Sequence, residues 1–268
     1  MTFAQLRSQL AKGGIPDPAT DAAQLLSHFF GVSHATLLAE PMREYESEAL
    51  TCALARRLAR EPLQHILGHT FFYGEEYEVS ADCLIPRADT ELLVEYAIRH
   101  LPEGACFADL CTGSGCIALS VLSHRPDLSA IAVDISGGAL AVARRNAARL
   151  SLSDRIRFYQ TDLLTEALPF SLPAFVLSNP PYITDSAMET LAPELGYEPS
   201  IALRGGADGL CFYRRFLSQL SPALFLFEIG YDQKEAIIAL GEAAGYATAV
   251  FSDFGGNPRL AILEKPSS

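Results

Sequence analysis

Apolar and polar positions follow two periods along this chain, and the change between them divides the sequence. Through about residue 67 the spacing is helical. Asp17 followed by Pro18 reads as a helix start, with Asp as the cap and Pro in the first turn. Ala22, Leu25, Leu26 and Phe29 follow on one face, and Gly31 ends the helix. Ser33 can cap a short helix through Leu38. A longer helix is predicted from about Glu44 to Arg60, with Leu50, Leu54 and Leu58 as its stripe, and Pro62 opens a last short helix that stops at Gly68. These segments predict a bundle of four or five helices. Then the period falls to two. Phe71-Phe72-Tyr73, Gly74-Glu75 and Glu76-Tyr77-Glu78-Val79 predict a β-hairpin, expected to connect the bundle to the rest of the chain. From about residue 88 strands and helices alternate, beginning with a helix capped by Asp89 and carrying Leu92, Leu93, Tyr96 and Ala97. Strands are predicted at Cys106–Leu110, Ala130–Asp134, Ile156–Gln160, Phe175–Ser178, Leu224–Ile229, Ala247–Ser252 and Arg259–Leu263. The alternation predicts an α/β doubly wound parallel sheet. The last two strands, joined by Gly255-Gly256-Asn257-Pro258, predict an antiparallel edge. The expected division is a helical domain over 1–68, a hairpin linker over 69–86 and an α/β domain over 87–268.

Composition narrows the class. The 268 residues are 49% hydrophobic and 19% charged, enough to bury a sizeable core. No apolar run approaches the roughly 18 residues that span a bilayer. The N-terminus lacks an apolar segment followed by a cleavage site, so a cytoplasmic protein is expected. The six cysteines form no C-x-x-C pair and read as small buried hydrophobes. His65 and His69 stand four apart with Gly68 between, and no metal is expected. A net charge of −12 disfavours a phosphate-backbone binder, because such proteins gain affinity from basic stripes. The clusters Arg56-Arg57-Arg60 and Arg144-Arg145-Arg149 read as solvated helix faces.

The candidate chemistry lies at strand ends. Asn179-Pro180-Pro181-Tyr182 follows the apolar run Ala174-Phe175-Val176-Leu177-Ser178. Two prolines cannot continue a ladder or enter a helix interior, so the chain leaves the sheet rigidly. Asn179 then sits at the C-terminal end of a strand, where open parallel sheets bind ligands. Its amide offers one acceptor and one NH2 donor. With the Pro180 carbonyl beside it, two acceptors face an incoming NH2 group, and Tyr182 adds an aromatic face.

A second site is predicted at Asp109-Leu110-Cys111-Thr112-Gly113-Ser114-Gly115, where glycines let backbone approach a ligand at a helix N-terminus. Asp134 ends the next strand, suited to ribose hydroxyls. Asp162 and Leu163 follow the third, suited to an adenine amino group and ring. Gly113-x-Gly115-x-x-Ala118 also fits a dinucleotide fingerprint. Asp109 before the glycines, Asp162 after the third strand and the Asn179 motif after the fourth favour S-adenosylmethionine over NAD.

Together these motifs resemble the PrmC/HemK family, the glutamine methyltransferases of peptide-chain release factors. The resemblance spans nearly the whole chain. It is carried by Gln64-His65-Ile66-Leu67-Gly68, Leu84-Ile85-Pro86-Arg87 with Thr90-Glu91, Asp109 to Gly115, Ile131-Ala132-Val133-Asp134 and Ser178 to Ile183. Tyr197-Glu198-Pro199 with Ala202-Leu203, Phe227-Glu228-Ile229-Gly230 with Gln233, and Asp253-Phe254-Gly255-Gly256 with Arg259 complete it. The Asn-Pro-Pro-Tyr element alone is shared with adenine and cytosine amino methyltransferases. Two departures are visible: Cys111 stands where the family often has the first loop glycine, and Pro86-Arg87-Ala88-Asp89-Thr90 replaces Pro-Arg-Pro-Glu-Thr. The resemblance implies a Rossmann-like methyltransferase sheet. It implies S-adenosylmethionine held by Cys111, Thr112, Gly113, Ser114, Gly115, Asp134, Asp162, Leu163 and Asn179. The substrate it implies is the glutamine of the Gly-Gly-Gln loop of class I release factors, bound by Asn179, Pro180, Pro181 and Tyr182, with Asn179, Pro180 and Tyr182 serving the transfer. The bundle would dock the protein substrate. Arg87 and Glu228 are each expected either to serve the site or to pair locally, and Tyr197 and Glu198 to brace the loop after Tyr182. The competing functions are adenine-N6 methylation of DNA or RNA, and a non-catalytic adenosine-binding scaffold.

Overall fold

The structure is a computed structural model and describes residues 1–266. The chain folds into two compact units, one of Met1–His69 with Ala192–Tyr197, the other of Thr70–Leu191 with Glu198 onward.

In the first unit, α1 (Phe3–Lys12) opens with a capping box between Thr2 and Gln5. Asp17 caps α2 (Pro18–Phe30), and Gly31 closes it in the left-handed conformation. Ser33 caps α3 (His34–Ala39). The next helix, α4 (Glu48–Leu58), starts later than Glu44 because the Ser47 hydroxyl accepts the Leu50 N–H at 3.0 Å. Pro62 precedes α5 (Leu63–Leu67). Leu6, Leu10, Leu25, Leu26 and Leu50 form the core. Leu58 is not part of it. Positions four apart drift about 40° around a helix, so Ala53 and Arg57 take over the buried face after Leu50 and Leu54. Buried Arg57 is paired with Asp21 at 2.6 Å and with Glu194 at 3.2 Å, which ties the 192–197 segment into this unit.

The second unit begins at Thr70, within the hairpin of β1 (His69–Phe72) and β2 (Glu75–Glu78). Its turn is Tyr73-Gly74, one residue earlier than expected, with φ of +48° and +81°. A two-residue hairpin turn of this kind needs positive φ at both positions. Tyr73 is held there by its N–H to Glu91 Oε1 at 2.8 Å and by its ring against His124. The hairpin is more than a connector: Phe72 and Tyr77 are buried in the core of this unit, and the Tyr77 hydroxyl meets Ser120 Oγ at 2.7 Å.

Seven strands form the sheet: β3 (Cys106–Leu110), β4 (Ser129–Asp134), β5 (Ile156–Gln160), β6 (Phe175–Ser178), β7 (Leu224–Glu228), β8 (Ala247–Ser252) and β9 (Pro258–Glu264). Their order is β5-β4-β3-β6-β7-β9-β8. The first five run parallel, and β9 enters antiparallel between β7 and the edge strand β8. The helices are α6 (Glu91–His100), α7 (Cys116–His124), α8 (Gly137–Arg149), α9 (Cys211–Gln219) and α10 (Lys234–Ala243). Two clusters, one around Phe107, Leu119 and Leu177 and one around Leu110, Val176 and Phe227, carry the core. That is why the central strands read as continuous apolar runs. Asp89 does not cap α6. A 3-10 turn over Ala88–Thr90 precedes that helix, and Asp89 instead pairs with Arg259 at 3.2 Å.

From β3 the chain winds outward through β4 and β5, then returns to lay β6 on the other side of β3. This is a topological switch point, where the strand ends of doubly wound sheets open a crevice. Leu110 pairs with Ser178, so the loops starting at Cys111 and Asn179 leave the sheet side by side. No described helix is long and apolar enough to cross a membrane.

Candidate active site

A cavity opens at this edge, with about 1030 Å³ of empty space, part of it continuous with solvent. Cys111, Thr112, Gly113, Ser114, Asp134, Asp162, Leu163, Asn179 and Pro181 line it. Gly115, Pro180 and Tyr182 adjoin these residues in the chain and are not among those lining it.

The loop after β3 is held from below. Asp109 is fully buried, accepting the Thr112 hydroxyl at 2.6 Å and the Ala118 N–H at 3.3 Å through one oxygen. Among the described residues its other oxygen has no hydrogen-bond partner. Burial pushes this carboxyl up to about 7. Cys111 has φ +61°, a left-handed conformation that costs an L side chain about 1 kcal/mol or more. The loop therefore keeps the backbone shape a glycine would adopt, with the cysteine strained in it. Burial pushes the Cys111 thiol well up, so it is an inert packing group. A Cβ on Gly113 would meet nothing within 4 Å, so the loop presents open backbone to the cavity. Gly115 serves packing: a Cβ there would come within 3.2 Å of Ala143 on α8.

Asp134 accepts the Gly113 N–H and the Ser136 N–H, each at 2.9 Å. Burial raises its pKa against those bonds. Each oxygen keeps a further lone-pair direction for ligand hydroxyls. Asp162 is more committed, accepting Leu164 N at 2.9 Å and the Thr165 hydroxyl at 2.6 Å, and these bonds lower its pKa. Ile135, 39% exposed, lines the cavity beside Asp134 and had no signal in the sequence beyond following an acidic strand end.

Asn179 donates from Nδ2 to the Thr90 hydroxyl at 3.3 Å. That hydroxyl donates to Glu228 Oε2 at 2.5 Å, and the Tyr182 hydroxyl reaches Glu228 Oε1 at 3.4 Å. Glu228 thus contacts the motif itself. The chain after Tyr182 is braced by Gln233, whose Nε2 donates to the carbonyls of Tyr182 and Gly209, both at 3.2 Å. A Cβ on Gly209 would lie 2.3 Å from the Tyr182 carbonyl oxygen, so only glycine fits there. Glu198 accepts the Ile85 N–H at 2.9 Å and pairs with Arg87, fixing the 84–87 wall of the cavity and not the loop after Tyr182. Tyr197 belongs to the helical unit and donates to the Ala59 carbonyl at 2.7 Å. Thr90 and Gln233 are the site residues whose roles the sequence does not reveal. In the sequence both stand only as parts of family motifs.

The donor set suits an adenosine ligand with an amino-acid tail: acidic acceptors at two strand ends, apolar Ile135 and Leu163 for a ring, and open backbone at Gly113. A family model described as the methyltransferase small domain matches residues 88–199. The solved catalytic domain of hMettl16, in complex with the MAT2A 3'UTR hairpin 6, shares the fold, with a TM-score of 0.55 over 82% of each chain at 15% identity. Fold and site define an S-adenosylmethionine-dependent methyltransferase. A second model, described as the PrmC N-terminal domain, matches residues 2–68. The release factor glutamine methyltransferase of Caulobacter vibrioides is 40% identical over 250 residues, covering 89% of this chain and 86% of that protein. That of Cereibacter sphaeroides is 39% identical over 270 residues, covering 97% and 96%. The chain belongs to the release factor glutamine methyltransferase family.

Proposed function

We propose that this protein methylates the side-chain amide nitrogen of the glutamine in the Gly-Gly-Gln motif of class I peptide-chain release factors, in the cytoplasm. The observation that carries the reading is the adjacency of Asn179 to the loop after β3, on neighbouring strands and in one cavity. The relatives' names supply the substrate class. S-adenosylmethionine, when bound, supplies an electrophilic methyl group. Cys111 to Ser114, Asp134, Asp162, Leu163 and Asn179 would hold it, with Gly115 shaping the loop. An amide nitrogen is a poor nucleophile because its lone pair is delocalised. Asn179 Oδ1 and the Pro180 carbonyl offset this by accepting both N–H bonds and aiming the nitrogen, so acceptors meet the charge that develops on it. Pro180 and Pro181 keep those acceptors rigid. The Tyr182 hydroxyl anchors the exit of the motif on Glu228, and its ring would pack on the substrate amide and help fix the line of attack.

Residues 1–68 are the candidate docking surface for the protein substrate, since a macromolecule needs contacts beyond one side chain. The test is mass spectrometry of release factor after incubation with enzyme and cofactor. A single methyl on the Gly-Gly-Gln glutamine is expected with the native chain. Asn179→Ala should lose at least about a hundredfold in rate while keeping most of the cofactor affinity, since Asn179 is one of several residues that would hold the cofactor. Transfer to DNA or RNA adenine in the same assay, with release factor unmodified, would sink this reading. The net charge of −12 argues against that outcome.

A further inference from the structure

Glu228 is 2% exposed at the end of β7, and its carboxylate meets two hydroxyls and, among the described residues, no cation within ion-pair distance. A buried carboxylate so placed is costly, and the chain tolerates it next to the transfer site. We propose that Glu228 and Thr90 are positioning residues: the Glu228 carboxylate fixes the Thr90 hydroxyl, and that hydroxyl fixes the Asn179 amide with its oxygen toward the cavity. The inference rests on the methyl-transfer reading of Asn179 and adds what sets its orientation.

An ionised carboxylate only accepts, and a hydroxyl has one proton to give. The Thr90 proton goes to Glu228 Oε2 at 2.5 Å, so Thr90 has only lone pairs left for Asn179. Asn179 answers with its NH2, at 3.3 Å, which leaves Oδ1 for the substrate. If residue 228 carries a proton, it can donate to Thr90, and the Thr90 proton is released toward Asn179. Oδ1 is then captured, the amide turns, and its NH2 faces the N–H bonds it should accept.

Transfer competence therefore grows as pH rises through the titration of Glu228, which burial pushes up to about 7. Several groups face it. Asp89, on the turn before α6, raises its pKa, and Arg259, on β9, lowers it. Tyr182 and Tyr213 stay neutral, the latter donating to the Glu228 backbone carbonyl at 2.7 Å. Cys116, on α7, is also held neutral by burial. Arg259 itself is shared with Asp89 at 3.2 Å and Asp253 at 3.6 Å.

The experiment combines kinetics on release factor with the side-chain 15N resonance of Asn179 in the free protein, for the native chain, Thr90→Val, Thr90→Ser and Glu228→Gln. In the native chain the Asn179 NH2 signal should titrate with a midpoint near 7, and kcat should rise over the same range. Both dependences should vanish in Glu228→Gln. Thr90→Val should lower kcat by about tenfold or more with KM and cofactor affinity within about threefold, and Thr90→Ser should restore it. An Asn179 signal indifferent to pH in the native chain would overturn the proposal. So would one that titrates unchanged in Glu228→Gln, or a Thr90→Val kcat within about twofold of native. The resonance needs no turnover. A titrating Asn179 in a protein that methylates no glutamine supports the relay and sinks only the methyl-transfer reading.

Discussion

Replacing Asp134 tests the cofactor side of the site on two quantities at once. Its carboxylate holds the Gly113 and Ser136 N–H groups at 2.9 Å each and faces the cavity. Asp134→Ala removes an acceptor for ligand hydroxyls and releases the Gly113 N–H that shapes the loop. A hydrogen bond to a charged group contributes about 1.5–3 kcal/mol, and a donor left unpaired costs about 1–3 kcal/mol. Gly113 and Ser136 are half-buried, so water recovers part of the second loss. The expected affinity loss for S-adenosylmethionine is about 2 kcal/mol, or roughly thirtyfold in Kd, with a smaller loss of stability. Asp134→Asn keeps one acceptor but turns its NH2 against one of the two backbone donors, and its loss should lie between native and Ala. Titration calorimetry reads the affinity and calorimetric melting reads the stability. Because burial raises the Asp134 pKa, native affinity should also weaken on acidification at a higher pH than for an ordinary carboxylate. A Kd for Asp134→Ala within about twofold of native would refute the assignment, as would binding of NAD lost in the same variant.

The same geometry sets three further outcomes. Cys111→Val puts a β-branched side chain at φ +61°, and urea unfolding should show a loss of about 2 kcal/mol or more, whereas Cys111→Ala should lose about 1 kcal/mol. Glu228 and Asp109 are raised from 4.5 and 3.8 to about 7, so between those values the folded chain keeps protons the unfolded chain has released. Stability should therefore fall as pH rises through that window and level off above it; Glu228→Gln should remove a share of at most roughly 3 kcal/mol, read as a flatter Tm–pH curve. A chain beginning at Thr70 should bind cofactor with native affinity and methylate intact release factor poorly. One beginning near residue 80 loses Phe72 and Tyr77 from the core and should not fold, as circular dichroism would show.

Local chemistry made most of the architecture readable. The strands at Cys106–Leu110 and Phe175–Ser178 stand where the apolar runs put them, because a strand buried on both faces needs an unbroken run, and the edge strands Ile156–Gln160 and Ala247–Ser252 also stand where expected, marked by their β-branched and aromatic residues. The caps at Asp17 and Ser33 and the stops at Gly31 and Gly68 were equally plain, since each satisfies backbone groups within four residues. The residues at the strand ends, Cys111 to Ser114, Asp134, Asp162 and Asn179, were visible for the same reason: Gly, Asp and Pro-Pro have few other uses there.

What the sequence left undetermined depends on partners far along the chain. Asp89 looks like a helix cap in sequence, but Arg259, 170 positions later, takes its carboxylate. Thr90, Asn179 and Glu228 lie far apart in sequence, and their hydrogen bonds exist only because β6 and β7 pair and the turn before α6 reaches their ends. Leu58 fits the stripe by spacing yet stays outside the core, because the helix rotates Arg57 inward to meet Asp21 and Glu194. Composition and period are local and add along the chain. Which of two acceptors a hydroxyl serves, and which way an amide turns, is settled by a competition among groups that only the folded chain brings together.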